Sequence, residues 1–93
     1  MKHKEEATER LKELTTQINQ LKIQVVDPSL KEQYEELIRN MEEIRDRIQD
    51  QYDRMDKSAD EREWSQFNTN IYTDLKSFDS AYKEAGAMFR PQP

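Results

Sequence analysis

In the first third of this chain the apolar residues stand 4, 3, 4, 3 and 4 positions apart: Ala7, Leu11, Leu14, Ile18, Leu21 and Val25. On a helix of 3.6 residues per turn that spacing lines one face, the heptad seam of a coiled-coil-like contact. The alternation returns in Leu30, Tyr34, Leu37, Met41, Ile44, Ile48 and Met55, interrupted at Gln51. It returns again in Trp64, Phe67, Ile71, Leu75, Phe78, Tyr82, Ala85 and Phe89. Narrow stripes of this kind are hidden by laying helices side by side. Hydrophobic residues make up only 33% and charged residues 38% of the chain, which leaves little apolar surface beyond the stripes. A single Gly, with three Pro outside the periodic runs, removes the usual obstacles to helix.

Two breaks are expected. Asp27-Pro28 ends the first run, because the residue before proline is pushed out of helical conformation and the ring cannot sit inside a helix. A second helix restarts at once, capped either by Asp27 with Pro28 in its first turn or by Ser29 with Glu32 at capping-box spacing. The short link implies an antiparallel hairpin. The other break carries no Gly or Pro. Between Asp56 and Glu63 only Ala59 is apolar, and the seam resumes one residue out of phase, about 100° around a helix. Ser58-Ala59-Asp60-Glu61 offers a capping-box spacing in that gap.

The fold class expected is all-α, a three-helix antiparallel bundle with coiled-coil-like heptad packing. One helical domain spans residues 1–90, with helices about 4–26, 29–56 and 59–86, and residues 90–93 form a flexible C-terminal tail after the stop at Gly86. The rival architecture is a helical hairpin whose long second helix runs through the gap and dimerises as a coiled coil. The pattern resembles spectrin-type and other three-helix repeats in outline only, and no residue motif ties it to one family.

Chemistry is hard to place on this chain. With no Cys, disulfides, thiolate catalysis and thiolate zinc sites are excluded. His3, the only imidazole, lacks the i, i+3 or i, i+4 partners of a helical metal site. Asp56, Ser58 and Asp60 begin like a calcium loop, but Glu61 and Phe67 stand where it needs Gly and Glu. One Gly cannot build a phosphate loop. The acidic residues between 32 and 56 lie largely off the seam, several with a basic residue four positions on: Glu35 with Arg39, Glu43 with Arg47, Asp50 with Arg54. No catalytic, cofactor-binding or metal-binding residue is therefore assigned, and neither an enzyme nor a small-molecule substrate is expected.

A net charge of −5 reads against a grip on nucleic acid. The acidic polar faces read against a lipid surface, and no run nears the ~20 apolar residues of a membrane span. Glu5 and Glu6 follow Lys2-His3-Lys4 where a signal peptide would turn apolar, so a cytoplasmic protein is expected. What remains is a helical interaction protein, an adaptor, chaperone-like or regulatory partner of another protein. The alternative is a homo-oligomeric structural coiled coil, a homodimer of itself. Candidate partner-binding residues are Tyr52 and Tyr72, aromatic but off the seam, with Met88 and Phe89 just past the Gly86 stop. Residues 1–26 carry net +1 and residues 29–56 net −4, a bias that favours packing the first helix beside the second.

Overall fold

Each of the three periodic runs is one helix in the computed structural model, which describes residues 2–58 and 60–88. The order is α1 (Lys2–Lys22), α2 (Lys31–Lys57) and α3 (Glu61–Gly86). The 27 residues of α2 span about 40 Å at 1.5 Å per residue, most of the 49 Å length of the molecule. Neighbouring helices run antiparallel. The Tyr34 hydroxyl near the start of α2 meets the Leu21 carbonyl near the end of α1, and Arg47 and Gln51 of α2 meet Asp74 and Asn70 of α3.

The stripes converge on one core: Leu14, Ile18 and Leu21 from α1, then Tyr34, Ile38, Met41, Ile44, Ile48 and Met55 from α2. From α3 come Ile71, Phe78, Ala81 and Ala85. α2 is the shared wall, packed closely against α3 on one side and α1 on the other, while α1 and α3 scarcely touch. A helix with two partners needs a wider apolar face than a single heptad seam. That is why Ile38 is buried beside the half-buried Leu37, although the seam spacing selects only Leu37. Ala81, also off the seam, is buried because its small side chain permits close approach.

The first link is longer than expected. α1 stops at Lys22, four residues short of the expected end, and α2 starts at Lys31, after a turn over residues 28–30. Once the helix has ended its seam phase no longer applies, so Val25 is 86% exposed and its neighbour Val26 packs on the core instead. Asp27 does act as a cap, although of the turn that precedes α2. Its carboxylate accepts from the Ser29 N–H at 3.0 Å and the Ser29 hydroxyl at 2.8 Å, which holds its pKa below the ordinary carboxylate value. With the Ser29 hydroxyl so engaged, no Ser29–Glu32 capping box forms, and the N-cap position falls to Leu30 without a side-chain bond.

The second break is real. Ser58 and Asp60 are both extended, with φ/ψ of −92°/136° and −94°/117°, so residues 31–86 are not one rod and the long-hairpin alternative is not the fold. Ala59, the tail at residues 90–93 and the candidate Phe89 lie outside the described residues. Of the three expected i, i+4 pairs, Asp50–Arg54 forms at 3.0 Å. Arg47 turns instead across the helix interface to Asp74 at 3.3 Å. Lys22 reaches Glu42 at 3.2 Å, an attraction in keeping with the charge bias between α1 and α2.

Tyr34 ties the first hairpin together. It is buried at 3% exposure, and its hydroxyl donates 2.6 Å to the Leu21 carbonyl in the last turn of α1, an oxygen that also accepts from the Gln24 N–H at 3.2 Å. Burial, reinforced by Tyr82, raises its pKa above the ordinary value of 10.0. A raised folded pKa means that its contribution is complete below about pH 10 and is lost as pH climbs through the folded value. The melting temperature should therefore fall in alkali. In Tyr34→Phe that fall should be shallower, from a neutral-pH stability about 1 kcal/mol lower. Equal alkaline slopes for the two proteins would show that Tyr34 carries none of it. Denaturant titration checks the core assignment. Ile48→Ala at a fully buried position should cost about 2–5 kcal/mol, and Val25→Ala less than about 0.5.

Candidate functional site

The seam of α1 opens with Ala7, whose methyl group fills little of the space that Leu or Ile would occupy at the same position. Ala7 is buried yet stands outside the main core cluster. Because α1 and α3 also scarcely touch, a cavity of about 370 Å³ remains at this end of the molecule. Ala7, Thr8 and Leu11 of α1 form one wall, and Gln49, Tyr52 and Met55 of α2 form the floor. Trp64 of α3 closes the third side. Its size lies at the lower end of the range of ligand pockets, enough for one large side chain or two smaller ones.

The bend between α2 and α3 sets the position of Trp64. The Ser58 N–H caps α2 by bonding to the Arg54 and Met55 carbonyls at 3.0 and 3.2 Å. Asp60 begins α3, its carboxylate accepting from the Arg62 N–H at 2.9 Å. The expected Ser58–Glu61 capping box is replaced by a wider one: the Ser58 hydroxyl accepts from the Asp60 N–H and donates to Glu63. Inside this frame the indole N–H of Trp64 donates 2.8 Å to the Ser58 carbonyl. The ring is therefore held by a directional bond as well as by packing, and lies half-buried at the mouth of the cavity.

Tyr52 is half-buried in the cavity wall. Burial raises its phenol pKa above the ordinary value, the Arg10 guanidinium opposes that rise, and Glu6 adds to it. The only charged groups on the lining are Asp53 and Asp56, and neither is ion-paired among the described residues. On the outer side of Trp64 a shallower depression runs along α3, lined by Glu61, Ser65, Asn68, Thr69 and Tyr72. Tyr72 is 61% exposed, with the Lys76 ammonium 4.7 Å from its ring centroid.

Trp64 thus joins two of the sequence candidates, Tyr52 on its inner side and Tyr72 on its outer side. Met88 belongs elsewhere. It is half-buried at the far end of α3, beside Leu37 and Glu84, 24 residues from Trp64 or about 36 Å of helix. Trp64, Leu11 and Met55 read as core from their seam positions, and Asp53 and Asp56 as a solvated face. The signal that distinguishes this end is Ala7, a small residue at a seam position opposite an aromatic one.

Among the described residues no three His, Asp or Glu side chains gather as a metal site, and no helix is long and apolar enough to cross a membrane. No protein-family model matches the chain, and neither does any curated protein or solved structure.

Since the bend holds the indole, it is the element to test. Glu61 is the first residue of α3, where a backbone N–H has no partner within the helix, and Asp60 before it is already in the extended conformation that proline demands. Glu61→Pro should change stability by less than about 0.5 kcal/mol and leave far-UV circular dichroism unaltered. A continuous helix would lose about 3 kcal/mol to the same substitution.

Proposed function

We propose that this chain is a non-catalytic protein–protein interaction module of the cytoplasm, an adaptor or regulator that receives part of another protein between α1 and α3. The observation that carries the reading is the cavity beside Trp64. It is walled mainly by apolar and aromatic side chains, and its largest ring is already oriented by the Ser58 carbonyl. Interface energy concentrates in such places, because a preset aromatic group loses little freedom when a partner arrives. The nearby hydroxyl points away from catalysis: Ser58 is engaged with Asp60 and Glu63 in the caps of the bend. Among the described residues the lining carries no imidazole or thiol to serve the Asp53 and Asp56 carboxylates or the Thr8 and Ser58 hydroxyls. The rival reading, a structural homo-oligomer, draws its sequence motive from a continuous middle rod, and that rod is interrupted at Ser58 and Asp60.

Gln49 is exposed and lines the cavity, so Gln49→Phe fills the space from its floor without touching the core. Affinity capture from the native host with the original chain should recover a partner that this variant loses, while the variant keeps its helicity and melting temperature. Equal recovery by both proteins would remove the cavity from the reading. Return of the chain alone, with sedimentation showing a dimer, would put the homo-oligomer in its place.

A further inference from the structure

We infer that the partner presents a basic amphipathic helix, with an apolar side chain seated beside Trp64 and Lys or Arg side chains meeting Asp53 and Asp56; this rests on the protein-binding reading above. The first argument is geometric. The cavity lies in the groove between α1 and α3, which both run antiparallel to α2, and no strand edge is available among the described residues to pair with an extended peptide. The ridge of a third helix fits such a groove, with side chains three and four apart reaching in together.

The second argument is charge. Two depressions share Trp64, and among the described residues the charged ones lining them are Asp53, Asp56 and Glu61, all acidic. Some surface carboxylates pair with cations, Asp50 with Arg54, Asp74 with Arg47, Asp79 with Lys83 and Glu42 with Lys22, while others such as Glu35, Glu36 and Glu43 pair with none among the described residues. The three around Trp64 have no such partner among the described residues. Asp56 is also placed against the interest of its own helix. It sits in the last turn of α2, where the helix dipole disfavours negative charge. Its carboxylate does not help the fold, whereas an incoming cation meets the carboxylate and the helix end together. Tyr72 supplies a third, weaker attraction. Its ring already accepts the Lys76 ammonium on one face, which shows a cation–π contact to be accessible at this surface.

The probe is a synthetic amphipathic peptide of about 18 residues with Leu on one face and Lys on the other, compared with versions carrying Gln or Glu in place of Lys. Trp64, the only tryptophan, reports binding by its fluorescence. The Lys peptide should bind at least tenfold more tightly than the Gln peptide, and the Glu peptide should not bind. In the double variant Asp53→Asn, Asp56→Asn the affinity for the Lys peptide should fall about fivefold or more, with no loss of melting temperature. The control Glu35→Gln, Glu36→Gln removes equal charge at the far end of α2 and should leave affinity within twofold. An equal fall in the control would reduce the effect to net charge and overturn the proposal. Gln and Lys peptides of equal affinity, both displaced by Gln49→Phe, would overturn the basic partner and leave the protein-binding groove standing. Absence of binding by all three peptides, together with unchanged host capture by Gln49→Phe, would remove the groove itself.

Discussion

Both outer helices bury their stripes on α2, so one helix carries two interfaces and the rest of the molecule follows from how its surface is divided. Met41 and Ile48 are completely inaccessible because they are covered from both sides. Flanking positions such as Leu37 are only half covered because each serves one neighbour. A compact three-helix bundle would also close α1 against α3, but here that contact is slight. The reason lies in the amount of apolar material. With a third of its residues hydrophobic, the chain can pack α2 on two sides and has little left for a third interface. The cavity beside Trp64 is the local expression of that shortage.

The bend at residues 58–60 shows how a helix can be stopped without Gly or Pro. Competing side-chain hydrogen bonds do it: Asp60 takes the Arg62 N–H, and Ser58 bridges the Asp60 N–H and Glu63. Each of these bonds stabilises an extended residue locally, and their value is modest compared with continuing the helix. What decides the outcome is packing. A continuous helix would carry the seam of α3 out of phase with that of α2 and leave Phe78 and Ile71 in water, whereas the bend brings both onto the core. Local capping and distant burial thus favour the same break, and the indole bond to the Ser58 carbonyl adds to it.

Much of this fold is legible in the sequence because heptad spacing is a property of position alone. The three helical stripes and the second break follow from it, while Asp27-Pro28 marks the first break and the short link implies the antiparallel order. What spacing does not reveal is where a helix ends within a few residues. Val25 continues the seam on paper, but α1 has stopped at Lys22 and Val26 becomes the packed residue. Spacing leaves the cap pairings open for a related reason. Ser, Asp and Glu close together allow several hydrogen-bond pairings, and backbone geometry selects Ser58 with Glu63 over Ser58 with Glu61. The candidate site was half legible. Tyr52 and Tyr72 stand out as aromatics off the seam, yet Trp64, which lies between them, is hidden by being on it.

That last point bears on how an open apolar pocket can arise in so polar a chain. A seam residue is selected for burial, so an aromatic side chain there is ordinarily matched by bulk on the facing helix. Ala7 and Trp64 line the same cavity, and the small side chain leaves space there. That space is largely apolar and bordered by Asp53 and Asp56, which have no ion pair among the described residues. Filling it with a larger residue at position 7 would improve the core by the same physics that elsewhere buries Leu14 and Ile18. On the proposed reading, stability and recognition oppose each other at this one seam position, and the energy that closure would give to folding remains available to a bound helix.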